Sequence, residues 1–336
     1  MLGAEVAAFE TEFAAYCEVR HCVALNSGTS GIHLALLAAG VGPGDEVITT
    51  PTTFIATAEA ISYVGARPVF VDIDPATANI DPRQIESAIT SRTRAIVPVH
   101  LYGRPAELDD ILKIGAERNV PVIEDACQAH GARFRGKRVG GFGLAAAFSF
   151  YPAKNLGAYG EGGALTTNDD RVADLARTLR DHGQSRRYHH DQIGFNYRMD
   201  GFQGAVLRVK LRHLDRWTAR RIEIARIYRE ALAGARVTIP NDNPKAESVY
   251  HLFVVYVEDL ASVRAGLEAR GVQTAVHYPV PVHLQKAYAG LGYKPGSFPH
   301  TEWASERGLS MPIFPEMSLE QAGYAASSLA EIVGRK

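Results

Sequence analysis

A chain of 336 residues, 46% hydrophobic, can bury a large core as one big domain or two joined ones, so size does not limit its stability. Its formal charge of -1 leaves no global field to draw in nucleic acid or an anionic membrane, so any charged ligand must be met by local groups. No apolar stretch approaches the roughly 20 residues of a membrane span, and Met1-Leu2-Gly3-Ala4-Glu5 lacks the basic-then-apolar pattern of a targeting signal. The three cysteines, Cys17, Cys22 and Cys127, form no CxxC pair, which argues against a disulfide framework or a cysteine-built zinc site. The expectation is a cytoplasmic protein in a reducing compartment.

The apolar run Cys22-Val23-Ala24-Leu25 predicts a strand, and helical spacing follows over Thr29 to Ala39. Glu46-Val47-Ile48-Thr49, Phe54 to Val64 and Pro68-Val69-Phe70-Val71 repeat the order strand, helix, strand. Asp81-Pro82 opens a helix with a capping carboxylate and a proline at its first position. The strand Ala95-Ile96-Val97-Pro98-Val99, a helix near 106 to 118 and the strand Val122-Ile123 come next. Ala145 to Phe150 and Ala164-Leu165-Thr166 read as two further strands joined through a glycine-rich loop. Such alternation predicts a largely parallel sheet with helices on both faces. After about residue 200 the texture changes to long helices rich in Arg, Leu and Ala, near 200 to 233. An alternating region at His251 to Val257 and a helix near 260 to 270 follow. The expected organisation is a large domain over 1–214 and a smaller α/β domain over 215–336.

In a doubly wound sheet the ligand sits beyond the carboxyl ends of the strands, so the residues just after each apolar run carry the chemistry. Asn26-Ser27-Gly28-Thr29-Ser30-Gly31 puts small residues and free backbone N–H groups at a helix start, where a phosphate could be held. On its own it is equally a capped helix with a glycine turn. Glu124-Asp125-Ala126-Cys127-Gln128 follows directly on a strand, so Asp125 either projects into the crevice or caps the next segment. Ser149-Phe150-Tyr151-Pro152-Ala153-Lys154-Asn155-Leu156-Gly157 places a lysine on a turn among apolar and glycine residues. Partial burial there lowers a lysine pKa and frees the amine for attack on a carbonyl, although a lone loop lysine is usually a solvated cation.

Together these stretches resemble the DegT family of sugar aminotransferases. The resemblance runs from Gly3-Ala4-Glu5-Val6 to Leu309-Ser310-Met311-Pro312-Ile313-Phe314-Pro315 and includes Gly42-Pro43-Gly44-Asp45-Glu46-Val47-Ile48, Val71-Asp72-Ile73-Asp74 and Pro98-Val99-His100-Leu101-Tyr102-Gly103. The stretch Ser149 to Gly157 is the most specific, because it joins the family's hydroxyl and lysine at the family's spacing. Members that dehydrate carry histidine at the lysine position; Lys154 here points to transamination. Measured against the family, the chain starts near the end of the N-terminal segment, so part of that segment is expected to be lacking.

The resemblance implies an α/β, aspartate aminotransferase-like fold of type I, with pyridoxal 5'-phosphate as cofactor and a homodimer whose sites lie at the subunit interface. It implies that Lys154 holds the cofactor as a Schiff base and moves the proton, while Asp125 pairs with the pyridine nitrogen. Gln128 would bond the phenolic oxygen and Phe54 would stack on the ring. Thr29, Ser30 and Ser149 would bind the phosphate, with Asn196 reaching it from the neighbouring subunit. His277, Tyr278 and His283 resemble the segment that faces the sugar. The implied reaction moves an amino group, from L-glutamate, to a keto group of a nucleotide-activated deoxysugar. C3 is favoured over C4 because His277-Tyr278-Pro279 and His283-Leu284-Gln285 look like stretches of 3-keto-sugar aminotransferases. The basic loop Arg186-Arg187-Tyr188-His189-His190 could meet a nucleotide diphosphate or be a solvated face.

Other readings compete. Gly141-Phe142-Gly143-Leu144-Ala145-Ala146 fits a loose dinucleotide pattern, yet it precedes an expected strand instead of opening a helix. His182, His189, His190 and Asp191 could suggest a metal, but adjacent histidines on one loop rarely converge, and no metal is expected. Cys127 reads as packing. The alternatives to a sugar aminotransferase are a dehydratase, a transaminase of a cyclitol or other keto substrate, and a non-catalytic cofactor-binding regulator.

Overall fold

The computed structural model describes residues 1–335. Its central sheet is built from β1 (His21–Leu25), β2 (Glu46–Thr49), β3 (Arg67–Phe70), β4 (Thr93–Ile96), β5 (Ile123–Asp125), β8 (Ala145–Ser149) and β9 (Gly163–Thr167). β6 (Arg133–Phe134), β7 (Lys137–Arg138) and β12 (Ala246–Glu247) form a separate small ribbon. The spatial order is β3-β2-β4-β5-β8-β9-β1, in which the single parallel bridges Ile96 to Val122 and Val99 to Asp125 join β4 to β5. Only β9 runs against its neighbours. The return from Ser149 to Gly163 holds turns and no helix, whereas a parallel neighbour needs a crossover. The expectation of a largely parallel sheet is met with that one exception.

Strand alternation sorts these residues between two cores. Ala145 and Ala147 of β8 face α2 (Gly28–Ala38), with Ile32, Leu34 and Leu36, while Ala146 and Phe148 face α1 (Ala4–Tyr16), with Phe9 and Phe13. Phe13 meets Phe148 and Phe150 edge to face, with ring centroids 5.1 and 5.3 Å apart. Near 200 to 233 the chain forms two helices, α7 (Gly201–Leu211) and α8 (Leu214–Ala231). The antiparallel pair β13 (Phe253–Tyr256) and β14 (Gly308–Met311) packs with α8, α9 (Leu260–Ala269) and α11 (Leu319–Val333) around Tyr228, Val255, Leu309 and Leu329.

The stretch between these strands turns back onto the first half of the chain. Val282 N donates to the Pro51 carbonyl at 3.0 Å, and Val282, Tyr288 and Phe298 pack with Ala58 and Phe70. At the start of α10 (Pro299–Arg307), Asp72 accepts from His300 N at 2.9 Å, Thr301 N at 2.8 Å and the Thr301 hydroxyl at 2.7 Å. This latch carries the residues around 277 over the carboxyl ends of the strands.

Glu124 and His100 are completely buried, and their partners explain the glycine-rich loop at 140–143. The Glu124 carboxylate accepts from Gly140 N at 3.0 Å, Phe142 N at 2.8 Å, Gly143 N at 3.1 Å and His100 Nε2 at 3.1 Å. Because His100 Nδ1 accepts from Ala106 N at 3.1 Å, its Nε2 carries the hydrogen. The amides of the dinucleotide-like loop are thus spent on a carboxylate, and β8 follows it. Among the described residues no group of three or more His, Cys, Asp or Glu could hold a metal ion, and no helix is long and apolar enough to cross a membrane.

Burial opposes the charge on Glu124, but the His100 bond and the backbone amides outweigh it and hold the carboxyl below its ordinary range. Its stabilising effect is therefore complete above the unfolded value near 4.3 and is lost as pH falls through the lower folded value. Glu124→Gln turns an amide NH2 toward these donors and should cost about 2–4 kcal/mol at pH 7. Urea unfolding of both proteins should show that gap, narrowing below pH ~4.

Candidate functional site

A cavity of about 540 Å³ opens at the carboxyl ends of β1, β2, β5 and β8. Eight of the residues singled out from sequence line it: Thr29, Phe54, Asp125, Gln128, Ser149, Lys154, His277 and Tyr278. Another groove, of about 550 Å³ between Glu46, Arg67 and Leu291, has its cations engaged locally, Arg92 with Glu46 and Arg67 with the Leu291 carbonyl. It gathers no comparable chemistry.

The anion-binding end of the cavity is the first turn of α2. Ser27 caps the helix, its hydroxyl accepting from Ser30 N at 3.1 Å. A Cβ on Gly28 would lie 2.5 Å from Cys127 Sγ and 2.9 Å from Ser149 Cβ, so only glycine lets the helix start sit on the strand ends. Gly28 and Thr29 therefore present a helix start, with its exposed amides and positive dipole end, to the cavity. Ser30 differs from expectation. It is buried, its hydroxyl lies 2.7 Å from Asn26 Oδ1 and 2.9 Å from Ser27 Oγ, and it does not line the cavity.

Lys154 stands on the turn after β8, where its N–H donates to the Tyr151 carbonyl at 2.8 Å. Burial pushes its pKa down, and Cys127 and Asp125 only partly oppose that shift. Asp125 ends β5; its Oδ1 accepts from Cys127 N at 3.1 Å and its Oδ2 from the Thr57 hydroxyl at 2.7 Å. Gln128 is held at both ends, Oε1 accepting from Tyr102 N at 2.6 Å and Nε2 donating to the Tyr278 hydroxyl at 3.2 Å. Burial raises the Tyr278 pKa to about 12, so it stays a neutral phenol. Phe54 is 54% exposed on the cavity wall, 5.8 Å from the Tyr278 ring. His277 Nδ1 lies 2.8 Å from Ser310 Oγ, and burial lowers its pKa, which favours the neutral imidazole.

His283 lies elsewhere, and Asn196, expected at the neighbouring subunit's site, lies outside the cavity of its own chain. His283 is buried against the Phe298 ring with Nε2 3.0 Å from Glu302 Oε1, because the latch from Asp72 draws its segment under α10. Asn196 is exposed outside the cavity, with Oδ1 accepting from Arg198 at 2.7 Å. The basic loop is an exposed hairpin, β10 (Gln184–Arg186) and β11 (His189–His190), which also does not line the cavity. Sequence reasoning missed Thr57, Tyr151, Glu161 and His251, all on the cavity wall. Tyr151 lies within the lysine stretch, and His251 opens the alternating region; neither position alone marks a site.

Residues 1–330 match the profile of the DegT/DnrJ/EryC1/StrS aminotransferase family. The chain is 51% identical over 328 residues to the erythromycin biosynthesis sensory transduction protein EryC1 of Saccharopolyspora erythraea, a match covering 97% of this chain and 90% of that protein. It is 47% identical over 323 residues to the dTDP-3-amino-3,4,6-trideoxy-alpha-D-glucose transaminase of Streptomyces venezuelae, covering 96% and 85% of the two. The crystal structure of S. venezuelae DesV in complex with a ketimine intermediate superposes with a TM-score of 0.98 at 46% identity, covering 100% of this chain and 91% of that one. The fold is therefore that of the type I aminotransferases, as the resemblance implied. Identity at this level, sustained over almost every residue, carries the family with it: the chain belongs to the DegT/DnrJ/EryC1/StrS aminotransferases, enzymes whose cofactor is pyridoxal phosphate.

Proposed function

We propose that this enzyme transfers an amino group from L-glutamate to a keto group, at C3, of a nucleotide-activated deoxysugar, as a cytoplasmic homodimer with shared active sites. The single observation that carries the reading is the meeting of Lys154 and Asp125 with His277 and Tyr278 in one cavity. The name of the S. venezuelae transaminase, with its amino group at C3 of a dTDP-sugar, supports the substrate class and the position. Three free cysteines suit a reducing compartment. In this reading residues 1–214 form the cofactor-binding domain and 215–336 the smaller one.

The residues present fit the cofactor. A helix start with a glycine cradle and the Ser149 hydroxyl can hold its phosphate, Asp125 its ring nitrogen, and Lys154 its carbonyl carbon. When bound, pyridoxal phosphate supplies an electron sink and a carrier for the amino group. Lys154, with its ammonium disfavoured by burial, supplies the amine that would anchor the cofactor and carry a proton to and from the substrate carbon. Asp125, held by Thr57 and the Cys127 amide, presents a carboxylate to the ring. Gln128 fixes Tyr278, and with Phe54 and His277 these side chains form the wall that would orient the sugar and exclude water.

Large apolar side chains left in solvent support the dimer: Phe202 and Val209 on α7 are 62% and 57% exposed, and Tyr159 is 71% exposed. Asn196 supports shared sites. Arg198 occupies its Oδ1, so its amide NH2 is the end left to donate outward, as a phosphate on a second subunit would need. The regulatory name of EryC1 favours one other reading, a cofactor-binding sensor, which would bind without turnover. Transfer from glutamate to a panel of keto-sugar nucleotides decides between them: amine formed at C3 supports the proposal, and binding without any amine product overturns it.

Lys154→Ala should abolish turnover while still binding cofactor through the phosphate and Asp125 contacts. Borohydride should attach cofactor covalently to wild type alone, at Lys154; labelling of another lysine refutes the assignment. Asp125→Asn should keep the covalent attachment but slow the single-turnover reaction with glutamate by orders of magnitude, since a neutral amide no longer favours a protonated ring. Wild-type rates in that variant would remove Asp125 from its role. Asn196→Ala should weaken cofactor binding by roughly ten- to a hundredfold, the loss expected from one hydrogen bond to a charged group. Mixing Lys154→Ala with Asn196→Ala subunits under limiting cofactor should restore activity, because one heterodimer site then carries neither defect. No restoration would mean that Asn196 acts within its own chain.

A further inference from the structure

Two buried hydroxyls on the cavity wall beside Asp125 are assigned by neither the motif reading nor the family match. Thr53 and Thr57 are 4% and 1% exposed, and their hydroxyl oxygens are 2.8 Å apart. Thr57 Oγ1 lies 2.7 Å from Asp125 Oδ2 and 3.3 Å from the Phe54 carbonyl. A threonine hydroxyl has one hydrogen, and it goes to the nearer, charged acceptor. Thr57 Oγ1 is then left to accept, and the Thr53 hydroxyl donates to it. The result is a directed relay, Thr53 to Thr57 to Asp125, in which each bond polarises the next.

The relay is also mechanically fixed. Thr57 sits in the first turn of α3 (Ala56–Tyr63), and the loop before it is tied at Thr52, whose hydroxyl donates to Thr301 Oγ1 at 2.8 Å, and at Pro51, whose carbonyl accepts from Val282 N at 3.0 Å. The same loop carries Phe54. With Cys127 N on Oδ1 and Thr57 on Oδ2, each oxygen of the Asp125 carboxylate has one protein donor, which locks rotation about the bond to the carboxyl group.

We propose that Thr57, backed by Thr53, is a positioning residue for Asp125: its hydroxyl orients the carboxylate and keeps its electron density low enough to leave the proton on the cofactor's ring nitrogen. This rests on the reading of Asp125 as the ring partner. Without the hydroxyl, Asp125 becomes the stronger base, the proton shifts from ring nitrogen to carboxylate, and the ring withdraws electrons less well.

The test uses holoenzyme loaded with pyridoxal phosphate labelled with 15N in the ring, reading the nitrogen chemical shift beside the single-turnover rate with glutamate. Thr57→Val removes the hydroxyl and keeps the shape; it should move the nitrogen toward the neutral-pyridine shift and slow the reaction roughly ten- to a hundredfold. Thr57→Ser should keep both wild-type values, and Thr53→Val should move both in the same direction by less. A wild-type nitrogen shift in Thr57→Val overturns the proposal, as does a Ser variant that behaves like Val, since packing alone would then explain the effect. If Thr57→Val does not fold, Thr53→Val decides: a moved nitrogen shift supports the relay and an unmoved one overturns it. Asp125→Asn separates the two levels. If it leaves the nitrogen unmoved, the ring-partner reading and the relay both fall; if it moves the nitrogen and Thr57→Val does not, only the relay falls.

Discussion

The site depends on how closely the first turn of α2 can approach the ends of three strands. At Gly28, Gly31 and Gly163 a Cβ would run into the opposing chain: at Gly28 into Cys127 and Ser149, at Gly31 into the Ala164 carbonyl 2.9 Å away, at Gly163 into the backbone of Ser27 and Gly28. The absence of these three side chains lets a helix N-terminus, with its unsatisfied amides, lie against β8 and β9. The Ser149 hydroxyl, the Lys154 turn and the end of β5 then fall within one cavity. A larger residue at any of these places would lift the helix and separate the group that can hold an anion from the group that can attack a carbonyl.

Two adjacent carboxylates show how position overrides residue type. Glu124 and Asp125 are neighbours on β5, and strand geometry sends them to opposite faces. Glu124 turns toward the loop at 140–143, where three backbone amides and His100 consume its acceptor capacity. Asp125 turns into the cavity with one donor on each oxygen, which leaves lone pairs for a ligand. The first carboxylate is structural because it is saturated; the second can do chemistry because it is not. Lys154 follows the same logic, since burial without a tight carboxylate partner disfavours its charge.

The second half of the chain contributes by returning to the first. Asp72, just after β3, gathers three donors from the start of α10, and Thr52 bonds Thr301. These contacts hold Val282 and Phe298 on Ala58 and Phe70 and bring His277 and Tyr278 over the cavity. The wall facing a substrate and the loop bearing Phe54 are thereby parts of one hydrogen-bonded unit.

Much of this was legible in the sequence. Apolar runs alternating with helical spacing determine a layered α/β sheet, because each strand and helix must bury a matching face. The stretches after those runs mark the start of α2, the end of β5 and the Lys154 turn as chemically unusual. Sequence also distinguishes the loop at 141–146 from a nucleotide site, through the strand that follows it. Tertiary structure alone decided the rest. Sequence reads the return from β8 to β9 as a glycine-rich loop, but only the fold sets β9 antiparallel between β8 and β1. Thr57 is an ordinary helix-start residue, and Thr53 an ordinary loop residue bonded to it, until the fold brings Thr57 to a carboxylate 68 positions away in the chain. His283 is indistinguishable in sequence from its neighbour His277, yet Glu302 and Phe298 bury one while the other reaches the cavity. The physical reason is the same in each case: local sequence sets backbone preference and the side of burial, whereas the partner that satisfies a buried polar group comes from residues distant along the chain.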